Sequence, residues 1–190
     1  MGLEVRDHRP VLKIKSGREI AVDGIVAGLG ITPNTELAEA AGLETTNGIM
    51  VNRFLQTSHP DIYAAGDVAS FYNQALDRRL RVEHEDNANT MGQMAGRAMA
   101  GEAEPYDYLP YFYSDLFDLG YEAVGIHNPE AEIVTDWVEP YQKGVIYYLQ
   151  QNRVRGVLLW NVWGQVEAAR QLIAEDGPLK AEDLKGRISS

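Results

Sequence analysis

A short apolar run, Ile62-Tyr63-Ala64-Ala65, begins just after Pro60 and stops abruptly on Gly66-Asp67. A run of that length between turn residues predicts a strand buried in an α/β sheet, the architecture in which ligands bind outside the carboxyl ends of strands. Gly66 would let a ligand come close to the backbone, and Asp67 brings two acceptor oxygens suited to vicinal hydroxyls. Taken alone, a Gly-Asp dipeptide is better read as an ordinary turn. The surrounding sequence has to decide.

Composition narrows the choice. With 190 residues, 45% of them hydrophobic and 24% charged, the chain can bury one large core or two small ones and is not of a disordered type. No apolar run approaches the ~20 residues that span a bilayer. The start MGLEVRDHRP lacks the apolar centre of a signal peptide, so a cytoplasmic protein with no membrane partner is expected. A net charge of -11, with Arg78-Arg79 and Arg81 as the one small basic cluster, argues against a nucleic-acid partner. That cluster reads as a solvated loop. The absence of cysteine removes disulfides, thiolate metal sites and cysteine-pair reductase chemistry. His8, His59, His84 and His127 lack metal-ligand spacing, and no metal site is expected. Electron transfer in such a chain would need an organic cofactor.

Along the chain, Val11 to Ile14 and Glu19 to Val22 bracket Ser16-Gly17 as a hairpin, and Ile25-Val26-Ala27 reads as a buried strand. The following Gly28-Leu29-Gly30 begins like a dinucleotide fingerprint, but Pro33 stands at the third glycine position and no acidic residue follows at the required distance. Thr35 to Ala41 predicts a helix ended by Gly42, with Leu37, Ala40 and Ala41 on one side. Extended structure through Asn47-Gly48 leads to the strand at 62–65, and a polar loop is expected between Asp67 and Arg81. From Asp86 to Ala100, Ala88, Met91, Met94, Ala95, Ala98 and Met99 recur at three- and four-residue intervals, which predicts an amphipathic helix closed by Gly101. Its methionines read as core filling.

Glu102 to Pro110 interrupts all periodicity and marks a domain boundary. Beyond it, Glu122 to Ile126, Ile133 to Val138, Val145 to Gln151 and Val154 to Val162 predict an antiparallel meander. A helix over Gly164 to Glu175 turns Val166, Ala169, Leu172 and Ile173 to one face, and a last short helix is expected near Ala181 to Leu184. Trp160 and Trp163 read as packing residues.

Three blocks carry a family resemblance. Thr57 to Asp67, reading TSHPDIYAAGD, resembles the second FAD-binding motif of the flavoproteins with two dinucleotide-binding domains, the group of ferredoxin reductases, rubredoxin reductases and apoptosis-inducing factor. Arg81-Val82-Glu83-His84-Glu85-Asp86-Asn87-Ala88 is similar to the RVEH segment of the apoptosis-inducing-factor branch. Pro110 to Leu116 with Gly120 to Gly125 is similar to that branch's entry into its C-terminal domain. The resemblance implies an α/β fold, a partial two-dinucleotide-binding-domain flavoprotein, followed by an α+β C-terminal domain with an antiparallel sheet. Residues 1–104 would hold the close of the NAD domain (about 1–50) and the last FAD-domain segment (about 51–104), and residues 105–190 the C-terminal domain.

In that family the acid matching Asp67, beside Gly66, binds the flavin ribityl chain, and the residues matching Glu83 and His84 lie at the flavin and nicotinamide face. Without the resemblance, the latter pair reads as a solvated ion-paired group. The helix that follows would aim its positive end at the flavin ring. Tyr113 stands where relatives commonly carry tryptophan beside the nicotinamide, and a core tyrosine is the alternative. Gly30 would contribute a backbone contact near the nicotinamide. None of these residues is expected to be a catalytic acid or base, because hydride transfer needs positioning only.

Neither glycine-rich fingerprint of the family occurs in the sequence. The expectation is therefore the C-terminal half of an FAD-dependent NAD(P)H oxidoreductase, its partners being a missing N-terminal half and a redox carrier such as ferredoxin. Alone it would be inactive and bind FAD weakly or not at all. Two rivals stand beside it: a non-catalytic interaction module that forms homodimers, and a nucleotide-binding protein using the Gly28-x-Gly30 loop.

Overall fold

A computed structural model describes residues 2–189, which divide into two compact units, one ending at Thr32 and the other starting at Pro33. In the first, strands β1 (Gly2–Arg6), β2 (Arg9–Lys13) and β3 (Glu19–Ala21) form an antiparallel sheet in chain order. Asp7 and His8 join β1 to β2 with φ of 50° and 63°, the two-residue turn that matches strand twist. Charges alternate across one face: Arg6 lies 2.8 Å from Glu4 and 2.6 Å from Glu19, and Lys13 lies 2.6 Å from Glu4. The predicted hairpin is thus the second half of a three-stranded sheet.

The expected strand at 25–27 does not form. Residues 24–34 carry no regular structure, and Val26 is fully exposed. A buried strand needs neighbours for its amides and carbonyls, and among the described residues none pairs with this segment.

The second unit opens with α1 (Glu36–Ala40), ended by Gly42 at φ 73°. Its inward residue is Ala38, while the predicted Leu37 is 90% exposed. Five residues make too few turns for an apolar stripe to fix which side is buried. Strands β4 (Thr45–Thr46) and β5 (Gly48–Met50) form a small hairpin. β5 runs parallel to β6 (Ala69–Asn73), and β6 pairs antiparallel with β7 (Arg78–Leu80).

The 62–65 run makes a single bridge, Tyr63 to Gln56, and the strand of this region is β6, after Asp67. The local reason is a knot of bonds that holds 57–62 as a loop: the Thr57 amide and hydroxyl both donate to the Ile62 carbonyl at 2.9 Å. The supposed polar loop 68–80 is the β6–β7 hairpin, whose Phe71 and Leu76 are core residues.

α2 (Glu85–Met99) follows as predicted, with Asn87, Met91, Ala95 and Ala98 inward, Met99 outward and Gly101 at φ 91° beyond its end. Its inner face packs with Val51, Leu55, Phe71, Val82 and Tyr106 in one cluster. Tyr106 meets Phe71 edge-on at 5.1 Å, so the interruption at 102–110 is pinned rather than loose.

The remaining chain builds a five-stranded antiparallel sheet from β8 (Tyr111–Leu116), β9 (Leu119–Gly125), β10 (Glu132–Glu139), β11 (Lys143–Gln150) and β12 (Arg153–Trp160). Its order is β10-β11-β12-β9-β8, so β9 lies beside β12 and the sheet is not a simple meander. β8 is an added strand that the sequence reading lacked. α3 (Val166–Ala174) lays Ala169, Leu172 and Ile173 on the face formed by Val124, Tyr147, Val157 and Leu159. The expected last helix is one short turn at Ala181–Asp183.

Candidate functional site

The start of α2 gathers most of the residues singled out in the sequence. Gly66 opens a short turn, Gly66–Val68, at φ 75°, a conformation open to glycine at little cost. A side chain there would also meet Ala88 on the first turn of α2, with Cβ atoms 3.5 Å apart. Asp67 is exposed, and among the described residues no hydrogen bond or ion pair engages its carboxylate. Its backbone carbonyl is held instead, accepting from Arg81 Nη1 at 3.0 Å.

The same guanidinium reaches Glu83, with Nη2 2.5 Å from Oε1, and donates through Nε to Asn47 at 3.2 Å. His84 caps α2: its Nδ1 accepts from the Asp86 amide at 3.3 Å. Its ring sits among Tyr111, Phe112 and Tyr113, with centroids at 6.2, 5.4 and 5.0 Å. Tyr113 is half exposed and its hydroxyl donates to Glu85 at 3.4 Å. Gly66, Asp67, Glu83, His84 and Tyr113 therefore share one neighbourhood around the positive end of a fifteen-residue helix. Gly30 lies in the first unit, exposed at φ 82°, and belongs to that unit alone. In the sequence Asp67 was expected at the carboxyl tip of a strand; it stands in the turn that enters β6.

A second layer was missed. Tyr108 donates to both carboxylate oxygens of Asp86 at 2.9 Å. Arg170, from α3, lies over the Tyr108 ring at 4.2 Å and the Tyr111 ring at 5.6 Å. Its Nε donates to the Leu109 carbonyl at 2.8 Å, and its Nη2 is 3.9 Å from Asp86. Burial, then the bond to Asp86, raises the Tyr108 pKa, and burial raises that of Tyr111. Both phenols stay protonated at neutral pH: Tyr108 serves as donor and ring surface, Tyr111 as ring surface, and neither as a base. The one available signal was an arginine within the apolar stripe of α3.

Trp160 behaves as expected of a packing residue: it stacks flat beside Tyr121 at 6.2 Å and donates to the Tyr141 carbonyl. Among the described residues no cluster of His, Asp and Glu is arranged to hold a metal, and no helix is long and apolar enough to cross a membrane.

The site thus gathers a free carboxylate beside a glycine, a helix start and a rim of aromatic rings. Comparison with known proteins gives that shape a context. The pyridine nucleotide-disulphide oxidoreductase model matches residues 3–92, and the model of the mitochondrion-associated C-terminal part of apoptosis-inducing factor matches residues 127–175. The chain thus resembles the pyridine nucleotide-disulphide oxidoreductases over residues 3–92.

It is 39% identical over 180 residues to mitochondrial apoptosis-inducing factor 1 of Dictyostelium discoideum, covering 87% of this chain and 34% of that protein. Against putidaredoxin reductase of Pseudomonas putida the identity is 32% over 166 residues, covering 87% of this chain and 39% of the relative. The structure of a covalent putidaredoxin reductase–putidaredoxin complex superimposes with a TM-score of 0.83 at 31% identity, covering 96% of this chain and 44% of that one. The chain thus spans less than half the length of the oxidoreductases it matches. Members of this family are FAD- and NAD(P)H-dependent, and a free carboxylate and aromatic faces are the kinds of group that a polyol chain and a flat ring require.

Proposed function

We propose that the chain forms the ribityl and ring side of an FAD-dependent NAD(P)H oxidoreductase, which passes hydride from NAD(P)H to FAD and electrons on to a redox carrier. The observation that carries this reading is the unengaged carboxylate of Asp67, set beside the Glu83-His84 pair at the start of α2. FAD, when bound, supplies the ring that accepts hydride. Asp67 accepts hydrogen bonds from the ribityl hydroxyls, and Gly66 leaves room for that chain. The amide end of α2 favours negative charge on the ring edge it faces. His84 and Tyr113 orient flat rings, and Gly30 offers a backbone contact for the nicotinamide. None of them moves a proton.

The sequence holds no glycine-rich phosphate loop, so the reading assigns the pyrophosphate anchors to an N-terminal half of the reductase. Residues 1–104 then serve the NAD and FAD domains and 105–190 the C-terminal domain, in a cytoplasmic enzyme. A carrier of the ferredoxin type is the proposed acceptor, supported by the structural likeness to a reductase joined to putidaredoxin. The test is FAD titration of the purified chain, followed by flavin absorbance. Uptake is expected only at high FAD concentration, and Asp67→Ala should weaken it about tenfold, as loss of a charge-assisted bond does. Tight stoichiometric retention, or an Asp67→Ala variant that binds as well as the parent, contradicts the reading.

A second reading, a homodimeric interaction module, is favoured by the exposure of Leu116, Phe117, Val138 and Tyr141 on the C-terminal sheet and its turns. Light scattering should then show a dimer. A clean monomer without exposed-hydrophobe dye binding counts against it.

A further inference from the structure

Arg81 is the residue in which the separate parts of this site meet. Its side chain is only 8% exposed, although the sequence placed it in a solvated cluster. Three acceptors from three different segments surround the guanidinium: Asn47 Oδ1 at 3.2 Å, the Asp67 carbonyl at 3.0 Å and Glu83 Oε1 at 2.5 Å. Burying a cation is costly unless its donors are answered, and here every edge of the planar fork has a partner.

The seat for its stem is also specific. Gly48 has φ 111°, and a Cβ at that position would lie 2.9 Å from Arg81 Cδ and 2.5 Å from the Val68 carbonyl oxygen. Glycine at 48 therefore lets the arginine lie against the backbone of the 66–68 turn. The bond to Asp67 goes to its carbonyl and leaves its carboxylate free. The effect is to fix the backbone of Asp67 while its side chain stays available.

From this geometry we infer that Arg81 is a positioning residue for recognition of the flavin's polyol chain: it holds Asp67 and Glu83 in fixed relation, so that the Asp67 carboxylate meets the ribityl hydroxyls without first being ordered by them. Preorganisation of this kind raises affinity by removing an ordering cost at binding. The inference rests on the flavin-site reading above and goes beyond it by assigning the ribityl selectivity to a residue that touches no ligand.

Two flavins with the same ring separate the idea from its foundation. Riboflavin carries the polyol chain, and lumiflavin carries a methyl group in its place. Fluorescence quenching with the full chain should give riboflavin about a tenfold preference over lumiflavin. Asp67→Ala should abolish that preference. Arg81→Gln should abolish it too, with lumiflavin affinity unchanged, and the double variant should be no worse than either single one. Arg81→Lys should fail to rescue, since an ammonium cannot bridge three segments in one plane.

A merely structural arginine would lower affinity for both flavins or neither. Asn47→Ala, an exposed change that removes one anchor of the clamp, should reduce the preference about threefold in a folded protein even if Arg81→Gln does not fold. If Asp67→Ala abolishes the preference while Asn47→Ala and any folded Arg81→Gln keep it, or if Arg81→Lys restores it fully, the role of Arg81 is overturned and the site reading stands. A parent chain that shows no preference, or binds neither flavin, overturns both.

Discussion

Arg170 illustrates how a single side chain can tie two distant helices together. Its guanidinium lies between the Tyr108 and Tyr111 rings and faces Asp86, a carboxylate only 19% exposed in the first turn of α2. Arg170→Leu keeps the bulk but removes the cation and the bond to the Leu109 carbonyl. Loss of stability by about 1–3 kcal/mol is expected from leaving these groups without their partner, measurable by urea unfolding. No change within error would mean that the rings and Tyr108 alone suffice. Residues of this sort are where sequence reading was weakest. Asp67, Glu83 and His84 were legible because they stand in contiguous blocks, whereas Asn47 and Asp67, which meet Arg81, and Asp86, which faces Arg170, lie 34, 14 and 84 positions from those arginines in the chain. Charge in a sequence looks solvated until the fold shows what faces it.

Among the elements, α2 and α3 were legible because nine to fifteen residues give a stripe that repeats often enough to fix a face. The strands at 25–27 and 62–65 misled because a short apolar run states only that it could be buried, and pairing depends on a neighbour elsewhere in the chain. Likewise nothing local set β9 beside β12 rather than β10. That adjacency depends on one unusual contact. In the register Gly156 faces Gly125, and a Cβ on Gly156 would stand 2.1 Å from the Ile126 carbonyl oxygen. Gly156→Ala should therefore shift the β9–β12 ladder and destabilise the second unit by roughly 3 kcal/mol, the upper range for overpacking. Backbone amides of β9 and β12 should lose hydrogen-exchange protection first; uniform protection with unchanged stability would refute this account.

At the scale of the whole molecule, acid stability has a local source in His127. The ring packs edge-on against Tyr148 at 5.0 Å and bonds to the Val157 carbonyl, and burial pulls its pKa below the ordinary 6.5 despite that bond. A base whose folded pKa is lowered takes up more protons when unfolded. Stability is therefore unaffected well above pH 6.5 and falls as pH drops through that value. In His127→Gln the melting temperature should decline less than in the parent between about pH 7 and pH 5. Parallel pH profiles of the two proteins would exclude the assignment.

The stretch from Gly24 to Asn34 has a further consequence, set by which side chains it lacks. It presents Val26, Leu29 and Ile31 to solvent without a strand partner, and between Arg18 and Arg53 there is no lysine or arginine. Trypsin should spare this segment, while brief elastase digestion, which favours small apolar side chains, should nick it and yield one piece near 160 residues that keeps both sheets beyond Pro33. The same surface that resists a basic-residue protease is thus an exposed cut site for elastase, dividing a charged three-stranded ribbon from the body that holds Asp67 and Arg81.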